Sequence, residues 1–275
     1  MKDRANLDWP IAVADGVYWI GFQEEISRLR CNPYLIVEGN QAVLIDGGGR
    51  PDFAVVMMKI LQTGISPKQI VALIYQHYDP DLCGSMQNVV DICDHPNLQI
   101  LSASSNNAFL SYYLGRDKQH LLTSIPDHDG AFTFNGRTLN FFRTPYAHSS
   151  GSFITYDSKT KVLFTSDLFG SYSATWDLFQ ELAEECATCR DCKRCTARKI
   201  DCPIPDIENF HRTIMPCKKS LDYAMSVIRK LDVSIIAPQH GSVFTQQRDI
   251  SLLIGKLEAL DNVGIDAFYP KTILS

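Results

Sequence analysis

The sequence predicts a mixed α/β (α+β) protein in which two β-sheets pack face to face and helices flank them. Three observations carry that expectation. Strand-like runs lead into mixed strands and helices, and this order passes through the chain twice. Side chains with metal-binding chemistry follow directly after strand-like runs at four separate places. No Gly-rich phosphate loop of Rossmann or Walker type occurs, which argues against a doubly wound nucleotide-binding sheet.

Gly16-Val-Tyr-Trp-Ile-Gly21 reads as a strand, and Pro33–Glu38 and Gln41–Asp46 read as a hairpin pair across Gly39-Asn40, a dipeptide suited to a tight turn. Gly47-Gly-Gly-Arg-Pro51 breaks the chain, and Phe53 to Gln62 has helical periodicity closed by Gly64. Ile70–Tyr75 is a continuous apolar run of strand length that ends on Gln76-His77-Tyr78-Asp79-Pro80-Asp81. Cys83 to Cys93 reads as a helix, Leu98–Leu101 as a short strand and Asn106 to Leu114 as a helix. Phe132–Leu139 and Phe141–Arg143 carry strand pattern around Asn135-Gly136. Ser152–Tyr156 and Lys161–Thr165 form a second hairpin across Asp157–Thr160, and Asp167 follows at once. From Ser171 to Pro216 the pattern changes: a helix over Trp176–Glu185 leads into a loop dense in Cys, Arg and Lys. Ser220–Leu231 is an amphipathic helix, Val233–Ala237 a buried strand ending on Pro238-Gln239-His240-Gly241, and the last helix covers about Gln246–Leu260.

The 275 residues suit one domain over 1–275, with 171–216 as a Cys-rich insert. Apolar residues make up 45% and charged residues 21%, enough for a core that needs no disulfides. A net charge of −5 without a long basic run argues against nucleic acid or an anionic membrane surface as a partner. The first ten residues lack a signal-peptide layout, and no apolar run is long enough to span a bilayer, so the expected location is cytoplasmic. Nine cysteines is a high number for such a chain, and five of them fall between Cys186 and Cys202, which suggests metal or redox chemistry before a disulfide framework.

Six residues share one kind of placement. His77, Asp79 and Asp81 follow Ile70–Tyr75, His148 follows Phe141-Phe142, Asp167 follows Val162–Phe164, and His240 follows Ile235-Ile236. Strand ends on one sheet edge bring distant residues together on rigid supports. The His-x-Asp-x-Asp alternation turns three side chains toward one pocket. Neutral imidazoles and hard carboxylates suit iron, manganese or zinc. A single His after a strand is most often a hydrogen-bonded loop residue, but six groups repeating the placement favour a shared site.

This order of residues resembles the metallo-β-lactamase superfamily. Its hydrolases carry His-x-His-x-Asp-His, whereas Asp79 stands at the place of their second His. An acid there is similar to the flavodiiron proteins, whose pattern is His-x-Glu-x-Asp-His. Val17–Gly21, Asn32–Glu38, Val43–Asp46 and Ala237–Gly241 also resemble that branch, and the resemblance covers nearly the whole chain outside 171–216. It implies an αββα metallo-β-lactamase sandwich and a non-haem diiron site that binds or reduces dioxygen or nitric oxide. Under it, His77, Asp79 and His148 hold one iron, Asp81 and His240 hold the other, and Asp167 bridges them. Three differences stand out. Asp79 is shorter than the usual Glu. Leu82 stands where a further His ligand is common, which implies an open second metal. The chain ends at Ser275 without a flavodoxin-like domain, which is similar to single-domain oxygen-binding diiron proteins proposed as sensors or carriers. Flavodiiron relatives pair as dimers, so a homo-oligomer (dimer or tetramer) is implied by the same resemblance.

Cys186-x2-Cys189-x2-Cys192-x2-Cys195-x6-Cys202-Pro203 is the second specific signal. Its spacing partly resembles ferredoxin loops that wrap an iron–sulfur cube, with a last Cys before Pro supplying a thiolate. Four of the five would ligate a [4Fe-4S] cluster, and Arg190, Lys193, Arg194, Arg198 and Lys199 would offset the thiolate charge. A zinc knuckle and redox-active thiols are the alternatives. His95, His120, His128 and His211 lack strand-end placement or partners and read as surface or cap residues, and Tyr78 and Tyr146 read as packing residues. Cys31, Cys83, Cys93 and Cys217 read as small core residues.

Three functions follow as expectations. The first is a diiron protein that binds, senses or reduces dioxygen or nitric oxide, with the cluster as electron relay or redox sensor fed by an external donor. The second is a binuclear metallohydrolase such as a phosphodiesterase, loaded with zinc or manganese. The third is a non-catalytic redox module that signals through a partner.

Overall fold

The computed structural model describes residues 6–22, 31–126, 130–172, 176–189 and 202–268. Strands β1 (Ile11–Ala14), β2 (Val17–Trp19), β3 (Tyr34–Glu38), β4 (Gln41–Ile45), β5 (Ile70–Ile74), β6 (Gln99–Ser102) and β7 (Leu122–Ser124) form one sheet in chain order. Its first four strands are antiparallel, and β4 to β7 run parallel. Strands β8 (Gly130–Phe134), β9 (Arg137–Arg143), β10 (Phe153–Asp157), β11 (Val162–Phe164) and β12 (Ile235–Ala237) form the second sheet in the order β12-β11-β10-β9-β8. The helices are α1 (Phe53–Gln62), α2 (Pro80–Cys83), α3 (Met86–Cys93), α4 (Ser104–Leu110), α5 (Ile204–Ile214), α6 (Lys218–Ile228) and α7 (Gln247–Glu258).

Three apolar contact layers account for the order of these elements. Between the sheets, Ile36, Val43 and Ile74 of the first meet Leu139, Phe141, Phe153 and Phe164 of the second. On the outer face of the first sheet, Leu35, Leu44 and Leu73 pack against Val56 and Ile60 of α1, Val89 of α3 and Leu110 of α4. On the outer face of the second, Ile154, Leu163 and Ile236 pack against Ile207 of α5, Met225 of α6 and Leu253 of α7. Neighbours such as Leu35 and Ile36, or Leu163 and Phe164, point to opposite faces because side chains alternate along a strand. Both faces are covered, so these strands are apolar throughout rather than alternating with polar residues. The result is the four-layer αββα sandwich that the sequence predicts.

The structure departs from the sequence expectation in the segment before the cysteines. Residues 176–183 form no helix. They lie extended, with Phe179 bridging Val243. Val243 N donates to Leu178 O at 2.7 Å, Gln180 N donates to Val243 O at 3.1 Å, and Leu182 N donates to Asp249 Oδ2 at 2.8 Å. Leu178 and Leu182 are buried by this arrangement. The apolar spacing of Trp176, Phe179 and Leu182 imitates a helix, but bridging to the distant Val243 satisfies the backbone and overrides the local preference. A short 3-10 turn, Glu184–Thr188, follows. Helix α5 is the converse case, formed with Pro205 in its first turn, where a missing N–H costs nothing. The Cys83–Cys93 expectation also divides: α2 ends at Cys83, and α3 starts at Met86 after Gly84-Ser85. Among the described residues no helix is long and apolar enough to cross a membrane.

Candidate metal centre

All six strand-end residues singled out from the sequence come together at one end of the sandwich. His77 lies in the turn between β5 and α2, Asp79 occupies the N-cap position of α2 in extended conformation, and Asp81 is in that helix's first turn. His148 sits between β9 and β10, Asp167 just after β11, and His240 just after β12. The last two are placed by a parallel ladder in which Phe164 pairs with Ala237, so each ligand candidate lies three residues past a paired position.

Asp167 is the centre of the arrangement. Its Oδ2 lies 2.7 Å from His148 Nε2 and 3.8 Å from His77 Nε2, while its Oδ1 lies 3.4 Å from His240 Nε2. Asp79 Oδ2 is 3.2 Å from His148 Nε2 and 3.7 Å from His77 Nε2. Asp81 Oδ2 is 3.2 Å from His240 Nε2. His77, His148 and Asp167 offer ligand atoms that all lie within 4.8 Å of one another. His77, Asp167 and His240 are buried; Asp79, Asp81 and His148 are half-buried and face the opening.

The electrostatics follow from the crowding. Burial alone would raise the Asp167 carboxyl, but the facing His77, His148 and His240 reverse this and hold it well below the ordinary carboxylate range. Burial would lower His148, yet its hydrogen bonds to Asp167 and Asp79 push it up to about 10. Burial lowers His77, which favours the neutral imidazole that a cation requires. His77 Nδ1 is 2.8 Å from Ser166 Oγ, leaving Nε2 to face the pocket. That Nε2 and Asp167 Oδ1 are buried and have no hydrogen-bond partner. An unpartnered buried polar atom costs about 1–3 kcal/mol, so a donor set of imidazoles and carboxylates with two such atoms fits bound cations.

Several neighbours were not singled out from the sequence. Gln239 Nε2 lies 3.4 Å from Asp81 Oδ2. The Tyr172 ring stands 6.3 Å from that of His240 and 4.5 Å from that of Phe210, and burial together with Asp167, Asp81 and Asp79 pushes its phenol up to about 12. Ser166 and Gln239 adjoin ligand candidates in sequence, which is a usable signal; Tyr172 and Phe210 carry none. His211 corrects an expectation. It is fully buried, accepts from Phe169 N at 3.0 Å through Nε2, and donates from Nδ1 to Ile207 O at 2.7 Å. Both ring nitrogens are therefore engaged, and its role is to fasten the Asp167 loop to α5. His120 is exposed, and His95 Nδ1 accepts from Asn97 N at 3.1 Å as a local cap. Tyr78 packs as expected, stacked on Phe109 with centroids 4.4 Å apart. Leu82 is buried in the layer beneath the first sheet, beside Cys83. Cys31, Cys83 and Cys93 are buried core residues, whereas Cys217 is only half-buried. Of the cysteine-rich segment, Cys186 is buried and Cys189 and Cys202 are half-buried; Cys192, Cys195 and the interleaved basic residues lie outside the described residues, as does His128.

Two stacked sheets between helices, with imidazoles and carboxylates gathered at the strand ends, define a protein of the metallo-β-lactamase-like class. The family model described as ODP family beta lactamase matches residues 29–241, and the chain belongs to that family. Among curated relatives, the type A flavoprotein fprA of Rhodobacter capsulatus is 25% identical over 85% of this chain and 52% of its own length. The chain spans little more than half of the curated relatives it matches first. Among solved structures, the chemotaxis sensor ODP, described as a peroxy diiron species, superposes with a TM-score of 0.73 at 23% identity, covering 94% of this chain and 97% of that one. The rubredoxin oxygen:oxidoreductase of Desulfovibrio gigas superposes with a TM-score of 0.76 at 19% identity, covering 90% and 60% respectively. The family model and the superpositions together establish the metallo-β-lactamase-like fold, which the chain shares with flavodiiron proteins.

Proposed function

We propose that this chain is a non-haem diiron protein that binds and responds to dioxygen, with nitric oxide as a second diatomic ligand. The observation that carries the reading is the division of Asp167: one carboxylate oxygen faces His77 and His148, the other faces His240. A carboxylate shared in this way suits a bridge. In this reading His77, Asp79 and His148 hold one iron, and Asp81 and His240 hold the other. The match along nearly the whole length of a diiron chemotaxis sensor supports sensing over turnover. Bound iron would supply reversible electron transfer to a small oxidant. The protein's own part is to keep His77 neutral by burial and oriented by Ser166, to hold Asp167 ionised between three imidazoles, and to place the protonated Tyr172 phenol at the rim as a hydrogen-bond donor.

The cysteine segment belongs to the same proposal. Four of Cys186, Cys189, Cys192, Cys195 and Cys202 hold a [4Fe-4S] cluster within 171–216, acting as electron relay or redox sensor. Two placements support it. Cys186 is buried in the outer core of the second sheet and Cys202 packs against that core. Cys202-Pro203 then leads into α5, whose Phe210 ring lies 6.0 Å from that of His240. An external donor would reduce such a relay, and a homo-oligomer, dimer or tetramer, is part of the reading.

Iron and acid-labile sulfide counted on anaerobically purified protein, followed by oxygen addition under optical and electron-spin detection, test the proposal. The expected result is two irons beyond those of the cluster and a reversible oxygen-dependent spectrum. A chain that loads zinc or manganese and turns over phosphodiesters would overturn it in favour of a binuclear hydrolase. Absence of acid-labile sulfide would remove the cluster alone.

A further inference from the structure

The loop that carries His240 is gripped at two carbonyls by one buried amide from the opposite sheet. Asn32, just before β3, is almost fully buried. Trp19 Nε1 donates to its Oδ1 at 2.8 Å, and its Nδ2 donates to Pro238 O at 3.0 Å and Gly241 O at 2.8 Å. An indole nitrogen can only donate, so the orientation of the amide is determined and both of its hydrogens must face the His240 loop. The Asn32 backbone N–H adds a bond to Gln239 O at 2.6 Å. Tyr34 Oη donates to Pro238 O at 2.9 Å, and Trp176 Nε1 donates to Gly241 O at 2.8 Å. Gly241 takes a φ of +81°, and a Cβ there would meet Ser171 Oγ at 2.6 Å, so the chain has little freedom on the far side of His240.

The carbonyls grasped by Asn32 bracket Gln239 and His240, and Gln239 reaches Asp81. The grip of Asn32 therefore bears on both His240 and, through Gln239, Asp81. The other side of the pocket is fastened elsewhere: buried Asn106 donates to Gly151 O at 3.0 Å in the His148 loop, and Ser166 holds His77.

From this geometry we infer that Asn32 is a positioning residue that sets the affinity of the Asp81–His240 cation site and leaves the His77–His148 side untouched. The inference rests on the two-cation reading. Manganese(II) titrated into the metal-free full chain tests it, because a hard oxygen and imidazole site takes manganese while thiolates compete poorly. The unaltered chain should bind two equivalents at the pocket and show a spin-coupled pair by electron paramagnetic resonance. Asn32→Asp keeps the acceptor for Trp19 and removes both donated bonds. It should bind the first manganese as before and the second about 10–100-fold more weakly, the range for loss of an outer hydrogen-bonding partner, with the coupled signal replaced by that of isolated manganese. Tyr34→Phe removes the bond to Pro238 O but keeps the Asn32 amide, and should shift the second equivalent in the same direction by less; it decides the matter if Asn32→Asp does not fold. Equal weakening of both equivalents, or no change in either, overturns the inference. An unaltered chain that binds only one equivalent instead overturns the two-cation reading on which it stands.

Discussion

His77 and His148 crowd one oxygen of Asp167 and share Asp79, whereas His240, paired with Asp81, faces the other oxygen. The first half is the more crowded, with a shortest approach of 2.7 Å between His148 and Asp167, and its loops are tied to α4 and to Ser166. The second half has contacts of 3.2 and 3.4 Å and takes its rigidity from across the sandwich. On the proposed two-cation reading, the first side offers three protein ligands and the second offers two, besides the Asp167 they share. The inequality arises from backbone placement as much as from ligand identity.

The largest effect should come from removing what the halves share. Asp167→Asn keeps the shape but withdraws the charge between three imidazoles, and both cations should be lost, read as metal content near zero after gel filtration. Metal retained at one equivalent would show that the halves do not share the carboxylate.

The next effect concerns the loop that carries Asp167. Burial holds His211 at about 4 in the folded chain, below its ordinary 6.5. As pH falls, the unfolded chain takes up the proton first, so stability present above pH 6.5 is lost progressively down to pH 4. For the metal-free protein this amounts to on the order of 3 kcal/mol. His211→Gln, which cannot protonate, should flatten the acid limb in denaturant titrations at stepped pH; an unchanged slope would assign acid sensitivity elsewhere.

Leu82→His tests whether the poorer half can be enriched. The resemblance to flavodiiron proteins suggests a ligand position, but Leu82 is buried against the helices beneath the first sheet. A buried imidazole there should destabilise the fold by about 2 kcal/mol without tightening the second cation. Metal affinity that rises would mean the side chain turns into the pocket. The smallest change is expected for Asp79→Glu. Asp79 is half-buried at the rim, where a longer carboxylate can adjust, so the first cation's affinity should stay within about tenfold. A larger loss, seen by the same manganese titration, would make Asp79 a length-critical ligand.

The sandwich and the six pocket residues were legible because each rests on a local pattern: an apolar run of strand length, then a His or Asp. His77, Asp167 and His240 follow Ile74, Phe164 and Ala237 by three residues each. The failures lie where distant contacts override local pattern. Trp176, Phe179 and Leu182 have helical spacing, yet Val243 pulls their segment into an extended strap. Prolines and nearby cysteines disguise α5, which the core of the second sheet stabilises. His211 looked solitary because its decisive partner, Phe169, is 42 positions away. Asn32 sits in a recognisable segment, but nothing local says that its amide grips a loop more than 200 residues on.

The parallel ladder between β11 and β12 has a consequence for how this chain can vary. Asp167 and His240 are spaced by strand pairing rather than by the length of polypeptide that separates them. Closing a longer or shorter excursion costs little, because loop entropy grows only with the logarithm of length. The strap and α5 and α6 in that stretch are core elements, so the freedom of length belongs to the segment between residue 189 and Cys202. The cysteine-rich run falls in that segment, and a change in its length alone should leave the spacing of Asp167 and His240 intact.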